Sequence, residues 1–293
     1  MGRRLDLGVD PGLDPGEAAA GEGPPGPDEL RDDDEQPGAS VGEEEEEDAD
    51  DRDSDPYPSM PRPRWAMSPR RLRICELALV LLVAFGPTLL TSLWAWWTGN
   101  IFLNTAPVHS LVNAILRQVL ELGLLAYVLF RRGQTFRDLG LTFRWIDLPA
   151  AGLLYFAFVL VHAVAHNAVN WLTLVATGHP AAFAPFRAPI PGVAAIAAYA
   201  LYAIVDPVDE ELIVRAFAMT EIEELTGSAA LAVAASVGLQ TAYHLYQGAP
   251  NALAAGAGFL LYACFYARFR RILPVILAHA CWDLLVVLHR AAP

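Results

Sequence analysis

From residue 72 the chain repeats one pattern, a long apolar stretch followed by a short polar break. The stretches cover 72–97, 108–130, 148–177, 192–220, 229–247, 251–267 and 272–289. Several reach the roughly 18–20 apolar residues that cross about 30 Å of hydrocarbon. No strand-like alternation persists along them, and backbone in lipid must satisfy its own polar groups. The pattern therefore predicts an all-α fold, a polytopic transmembrane helical bundle of about seven spans, with eight as the alternative. The stretch 251–267 is short, and its Gly256 and Gly258 predict close helix packing. In the fourth stretch Pro207 allows either one kinked helix or a helix followed by a re-entrant turn.

Arginine sets the expected orientation. Arg62, Arg64, Arg70, Arg71 and Arg73 precede the first stretch, Arg131, Arg132, Arg137 and Arg144 follow the second, and Arg268, Arg270 and Arg271 follow the sixth. The loops near 98–107 and 248–250 hold no charged side chain, and that near 178–191 holds only Arg187. This alternation predicts an integral membrane protein of a bacterial inner membrane with its N-terminus in the cytoplasm. The acids Glu221, Glu223 and Glu224 weigh little in that rule. Trp65, Trp94, Trp96, Trp97 and Trp145 bracket the apolar stretches, as interfacial belts do.

Composition separates two regions. The formal net charge is −13, yet residues 1–55 alone hold 21 of the 33 acids against four arginines. That segment is rich in Gly, Pro, Asp and Glu and too poor in apolar side chains to offset the entropy of ordering. The expected organisation is a disordered acidic cytoplasmic tail over 1–70 and a helical membrane domain over 71–293. Cys75, Cys264 and Cys281 lie in separate apolar stretches without CxxC spacing and read as small hydrophobes. Nothing in the chain points to nucleic acid. The partners expected are membrane lipid and a peptide or membrane-anchored protein.

Against this background six ionisable residues stand out: Glu210, Glu211, Arg215, His244, His279 and Asp283. Each costs about 2.5–3.5 kcal/mol at hydrocarbon depth on insertion scales, so it is expected to pair, line a wet cavity or do chemistry. Glu211 and Arg215 stand at i,i+4, the spacing of an ion pair with the acid on the favourable side. Glu210 projects about 100° away from Glu211 and is left for another partner. A desolvated carboxylate there suits a general base acting on water. His279 and Asp283 also stand at i,i+4. Counting residues at ~1.5 Å each puts Glu210 about 16 Å, His244 about 22 Å and His279 about 10 Å from the cytoplasmic ends of their stretches, depths compatible with one chamber. A second pair, His162 and His166, sits in the third stretch near Asn167 and Asn170 and reads as a polar face toward the bundle interior.

The ordered set Glu210-Glu211-x-x-x-Arg215, then His244, then His279-x-x-x-Asp283 resembles the CPBP family, the CAAX-protease and bacteriocin-processing (Abi) membrane endopeptidases. The resemblance covers roughly residues 190–289. It implies intramembrane hydrolysis of a peptide bond in a membrane-associated or CAAX-like substrate. Under it Glu210 activates water with help from His244, His279 and Asp283 stabilise the oxyanion, and Glu211–Arg215 hold the scaffold. Two cofactor readings stand: a metal-free glutamate–water mechanism, and zinc held by Glu210, His244 and His279, an oxygen-plus-two-imidazole set that zinc accepts. No HExxH motif is present. The chain departs from the family pattern at Gln240, where phenylalanine usually stands four residues before the histidine, and at Asp283, where asparagine is common. An ionised Asp283 cannot donate to an oxyanion. Two non-proteolytic alternatives are a membrane scaffold or immunity protein retaining the fold, and a proton-coupled transporter, for which no internal repeat is visible.

Overall fold

The computed structural model describes residues 68–99, 106–183 and 189–291, and all their regular structure is helical. The helices are α1 (Pro69–Thr98), α2 (Val108–Arg131), α3 (Asp147–Thr177), α4 (Gly192–Glu210), α5 (Thr220–Thr226), α6 (Ala229–Tyr243), α7 (Ala249–Phe269) and α8 (Leu273–Ala291). A π-helical segment, Glu211–Met219, joins α4 to α5, and a 3-10 turn, His244–Gln247, follows α6. The expected tail lies outside the described residues except for its last three, which open α1. There the Ser68 hydroxyl accepts the Arg71 backbone N–H at 3.3 Å, and Pro69 occupies the first turn, where its missing N–H costs nothing. Arg62, Arg64, Trp65 and Arg187 also lie outside the described residues.

Among the described residues six helical runs are long and apolar enough to cross a membrane: α1, α2, α3, the continuous run Gly192–Thr226, α7 and α8. Their outer faces expose large apolar side chains, with Leu120 at 74%, Leu153 at 73% and Phe130 at 82%. Apolar exposure on that scale belongs in lipid, where tails solvate it. The chain is an integral membrane protein. All three cysteines sit on this outer surface, exposed rather than packed inside.

Two expected segments take a different shape. The run through Pro207 is neither cut nor re-entrant: α4 passes into the π-helical segment and on into α5 without leaving the helical path. Pro207 withholds one N–H from this ladder, and the register change follows four residues later. Long π segments are rare and gather at functional sites; this one carries Glu211 and Arg215. The expected span 229–247 is shorter than a full crossing. α6 has 15 residues, about 22 Å of rise. Its helix ends because Gly248 adopts φ 91° and Pro250 sits in the first turn of α7.

α7 is the most deeply buried of the long helices, packed against α3 and α6, while α4 packs on α2 and α8. Its glycines explain the close approach. A Cβ on Gly256 would stand 2.5 Å from the Thr241 hydroxyl, and one on Gly258 would stand 2.2 Å from the Phe158 ring.

One end of the bundle is tied by ion pairs. Glu221, nearly fully buried, accepts from the Arg73 guanidinium through both oxygens at 3.0 Å and from Arg132 at 2.6 Å. Arg132 also donates to Glu76 at 2.7 Å, and Arg131 pairs with the same carboxylate. Arg271 grips the buried Asp147 at 2.8 and 2.6 Å. Five of the arginines that predict orientation, Arg73, Arg131, Arg132, Arg270 and Arg271, therefore pair with acids of other helices. Glu221→Gln leaves Arg73 and Arg132 with half of this acceptor. The expected cost is about 1.5–3 kcal/mol, the worth of hydrogen bonds to a charged group, measurable as a lowered melting temperature in detergent micelles.

Candidate functional site

α4 and its π-helical continuation carry Glu210 and Glu211, the end of α6 carries Gln240 and His244, and α8 carries His279 and Asp283. Glu210, His244, His279 and Asp283 line one cavity of about 730 Å³ inside the bundle. Both imidazoles pack on the Phe259 ring, with centroids 4.8 Å away for His244 and 6.3 Å for His279. Glu211 and Arg215 are fully buried behind this wall.

Glu211 makes two bonds through one oxygen. Arg215 donates to Oε1 at 2.7 Å, as the i,i+4 spacing predicts, and His279 Nδ1–H donates to the same atom at 2.7 Å. The guanidinium also lies 5.2 Å from the Phe259 ring centroid, within cation–π range. His279 Nε2 stands 3.7 Å from Asp283 Oδ2, longer than a hydrogen bond. The imidazole is thus oriented by Glu211, 68 residues away in sequence, rather than by its helical neighbour. Its Nδ1–H is committed to Glu211, and its Nε2 faces Asp283.

His244 is held differently. Its Nδ1–H donates to the Gln240 backbone carbonyl at 2.8 Å, which leaves Nε2 as an acceptor. That carbonyl belongs to the last turn of α6 and also accepts the His244 backbone N–H. The site therefore presents a carboxylate and an imidazole nitrogen able to accept protons, together with an imidazole held by Glu211.

Glu210 finds the partner that its orientation left open. The Gln240 side-chain amide donates to Glu210 Oε2 at 3.2 Å, and Gln240 is fully buried. The residue that departs from the family pattern is therefore in contact with the carboxylate.

Some residues in or beside this chamber escaped the sequence reading. Asp206, one helical turn before Glu210, lines the cavity and accepts a hydrogen bond from Gln118 of α2. Asp209 and Glu121 are buried carboxylates nearby. A signal existed for each, since Gln118 and Glu121 break an apolar stretch and Asp206 stands at i,i+4 with Glu210. His162 and His166 line the same cavity, His162 against Phe158 and Trp282 and His166 stacked on Phe183 at 3.5 Å.

The zinc reading requires Glu210, His244 and His279 to converge on one ion. Among the described residues no three His, Cys, Asp or Glu side chains are placed to hold a metal ion. No step below passes through a metal.

Residues 192–285 match the family model of the Rce1-like type II CAAX prenyl endopeptidases. This part of the chain is similar to the Rce1-like CAAX endopeptidases. The match begins at the first residue of α4, ends inside α8, and includes all six singled-out residues. The similarity points to a membrane endopeptidase. No curated protein and no solved structure matches the chain.

Proposed function

We propose that the chain hydrolyses a peptide bond of a membrane-associated substrate, of the prenylated CAAX class named by the family, within the cavity between α4, α6 and α8. The observation that carries this reading is the convergence of Glu210, His244, His279 and Asp283 on one cavity, inside the stretch that matches that family.

Glu210 takes a proton from water as the oxygen attacks the scissile carbonyl. The unprotonated Nε2 of His244 accepts a hydrogen bond from the same water and aligns it. As the carbonyl oxygen gains negative charge, the imidazolium of His279 donates to it from Nε2. Glu211 keeps that ring in place through Nδ1, and Arg215 balances the Glu211 charge. Glu210 then returns the proton to the leaving amide nitrogen, the C–N bond breaks, and the products are a carboxylic acid and an amine. The aromatic lining supplied by Phe158, Trp282 and Phe259 supports entry of an apolar chain.

The reading predicts release of the C-terminal tripeptide from a farnesylated Cys-aliphatic-aliphatic-X peptide by the purified chain in liposomes. Mass spectrometry in ¹⁸O-labelled water should show one labelled oxygen in the new carboxyl group. Absence of cleavage of both the farnesylated peptide and its unprenylated counterpart overturns the proposal.

A further inference from the structure

We propose that Gln240 is a positioning residue that joins Glu210 to His244, an inference that rests on the proteolytic reading above. A single residue reaches both proton acceptors of the site. Its side-chain Nε2–H donates to Glu210 Oε2 at 3.2 Å, and its backbone carbonyl accepts Nδ1–H of His244 at 2.8 Å. The backbone N–H of His244 also turns back to that carbonyl. The side chain is fully buried, so the amide cannot exchange its carboxylate partner for bulk water.

The two contacts differ in what they require. Any residue at 240 supplies a carbonyl, and the tautomer of His244 follows from the end of α6 alone. Only a side chain of this length with an N–H donor holds the Glu210 carboxylate. Two ends of one residue are rigidly related, so the amide ties the rotamer of the carboxylate to the position of the imidazole. A carboxylate and an imidazole that act on one water must be held in register, since displacement of about 1 Å costs around 100-fold in rate.

The Gln240 side-chain oxygen is buried without a hydrogen-bond partner among the described residues. An apolar replacement removes that unmet acceptor but leaves the Glu210 carboxylate short of a donor, so a lowered melting temperature alone does not define the role of Gln240 and the carboxylate's own vibrational band does. This separates a positioning role from a packing role.

The test uses the full chain with Gln240→Leu and, as a flexible apolar side chain of similar length, Gln240→Met. With the farnesylated peptide as substrate, kcat falls about 10- to 100-fold while KM stays within about twofold, as for an interaction realised in the transition state. A second readout needs no turnover. The Glu210 carboxylate band, assigned in pH-induced infrared difference spectra by its absence from Glu210→Gln, shifts in frequency in both variants because its N–H donor is gone. An unmoved band in both variants overturns the proposal whatever the activity. A loss of kcat that tracks a fallen melting temperature, with the band unmoved, does the same and assigns Gln240 to packing. A shifted band in a chain that cleaves neither peptide upholds the tether and overturns only the proteolytic reading.

Discussion

Glu210→Gln lowers the hydrolysis rate by about 100- to 10,000-fold, the usual contribution of a positioned general base, without unfolding the bundle. The substitution is nearly isosteric, and the amide oxygen of the new side chain can still accept from Gln240, whose Nε2 lies 3.2 Å from Glu210 Oε2 in the native protein. What is lost is the lone-pair basicity that receives the proton of water. KM remains close to the native value because the cavity wall keeps its shape. The measurement is a steady-state series with the farnesylated peptide in liposomes, paired with a thermal melt. A Glu210→Gln protein that turns over at the native rate removes the mechanism, and a scaffold or immunity role then accounts for the fold.

Arg215→Met is expected to be the most damaging single change to the membrane core. The Arg215–Glu211 pair is fully excluded from solvent, and Glu211 Oε1 serves both Arg215 and His279. Removing one partner of a buried pair leaves an uncompensated charge and costs about 3–5 kcal/mol. The pair is also incompletely satisfied: among the described residues Glu211 Oε2 and Arg215 Nε and Nη2 have no hydrogen-bond partner. Replacing both partners with apolar residues is therefore expected to restore most of that stability, as buried pairs exchanged for well-packed side chains often do. The double variant Glu211→Leu, Arg215→Met should recover its unfolding midpoint in detergent yet stay inactive, since His279 has lost the acceptor that orients it. Recovery of both stability and activity contradicts the role given to Glu211. The contrast assigns the pair to the chemistry of the site, since packing alone would be served as well by leucine and methionine.

Much of the architecture was legible along the chain. Length and hydropathy reveal the long helices because about 30 Å of hydrocarbon demands a minimum apolar run. The ion pair Glu211–Arg215 is legible because helix geometry brings positions i and i+4 together whatever surrounds them. For the same reason the spacing of His279 and Asp283 was visible, and the structure puts them near each other without a hydrogen bond. Counting residues at a constant rise gave Glu210, His244 and His279 depths compatible with one chamber, and all three line the same cavity.

The contacts between helices were not legible. Glu211 meets His279, Gln240 meets Glu210 and Gln118 meets Asp206 across separations of 68, 30 and 88 residues. Each depends on how a helix is rotated about its axis and shifted along it. In water an apolar stripe reports that rotation, because one face must leave the solvent. In lipid both faces are apolar, the tails solvate leucine as well as a neighbouring helix does, and the periodicity carries little record of which side packs inward. α6 shows the same limit in length: residues 229–247 read as one continuous apolar stretch, while the left-handed backbone at Gly248 and the turn before it end the helix at the cavity. Composition and spacing thus determine which elements form and which neighbours on one helix pair, through short-range geometry. Rotation, register and the ending of a helix in the interior come from packing the whole bundle, and they turn six scattered ionisable residues into a wall of paired donors and acceptors.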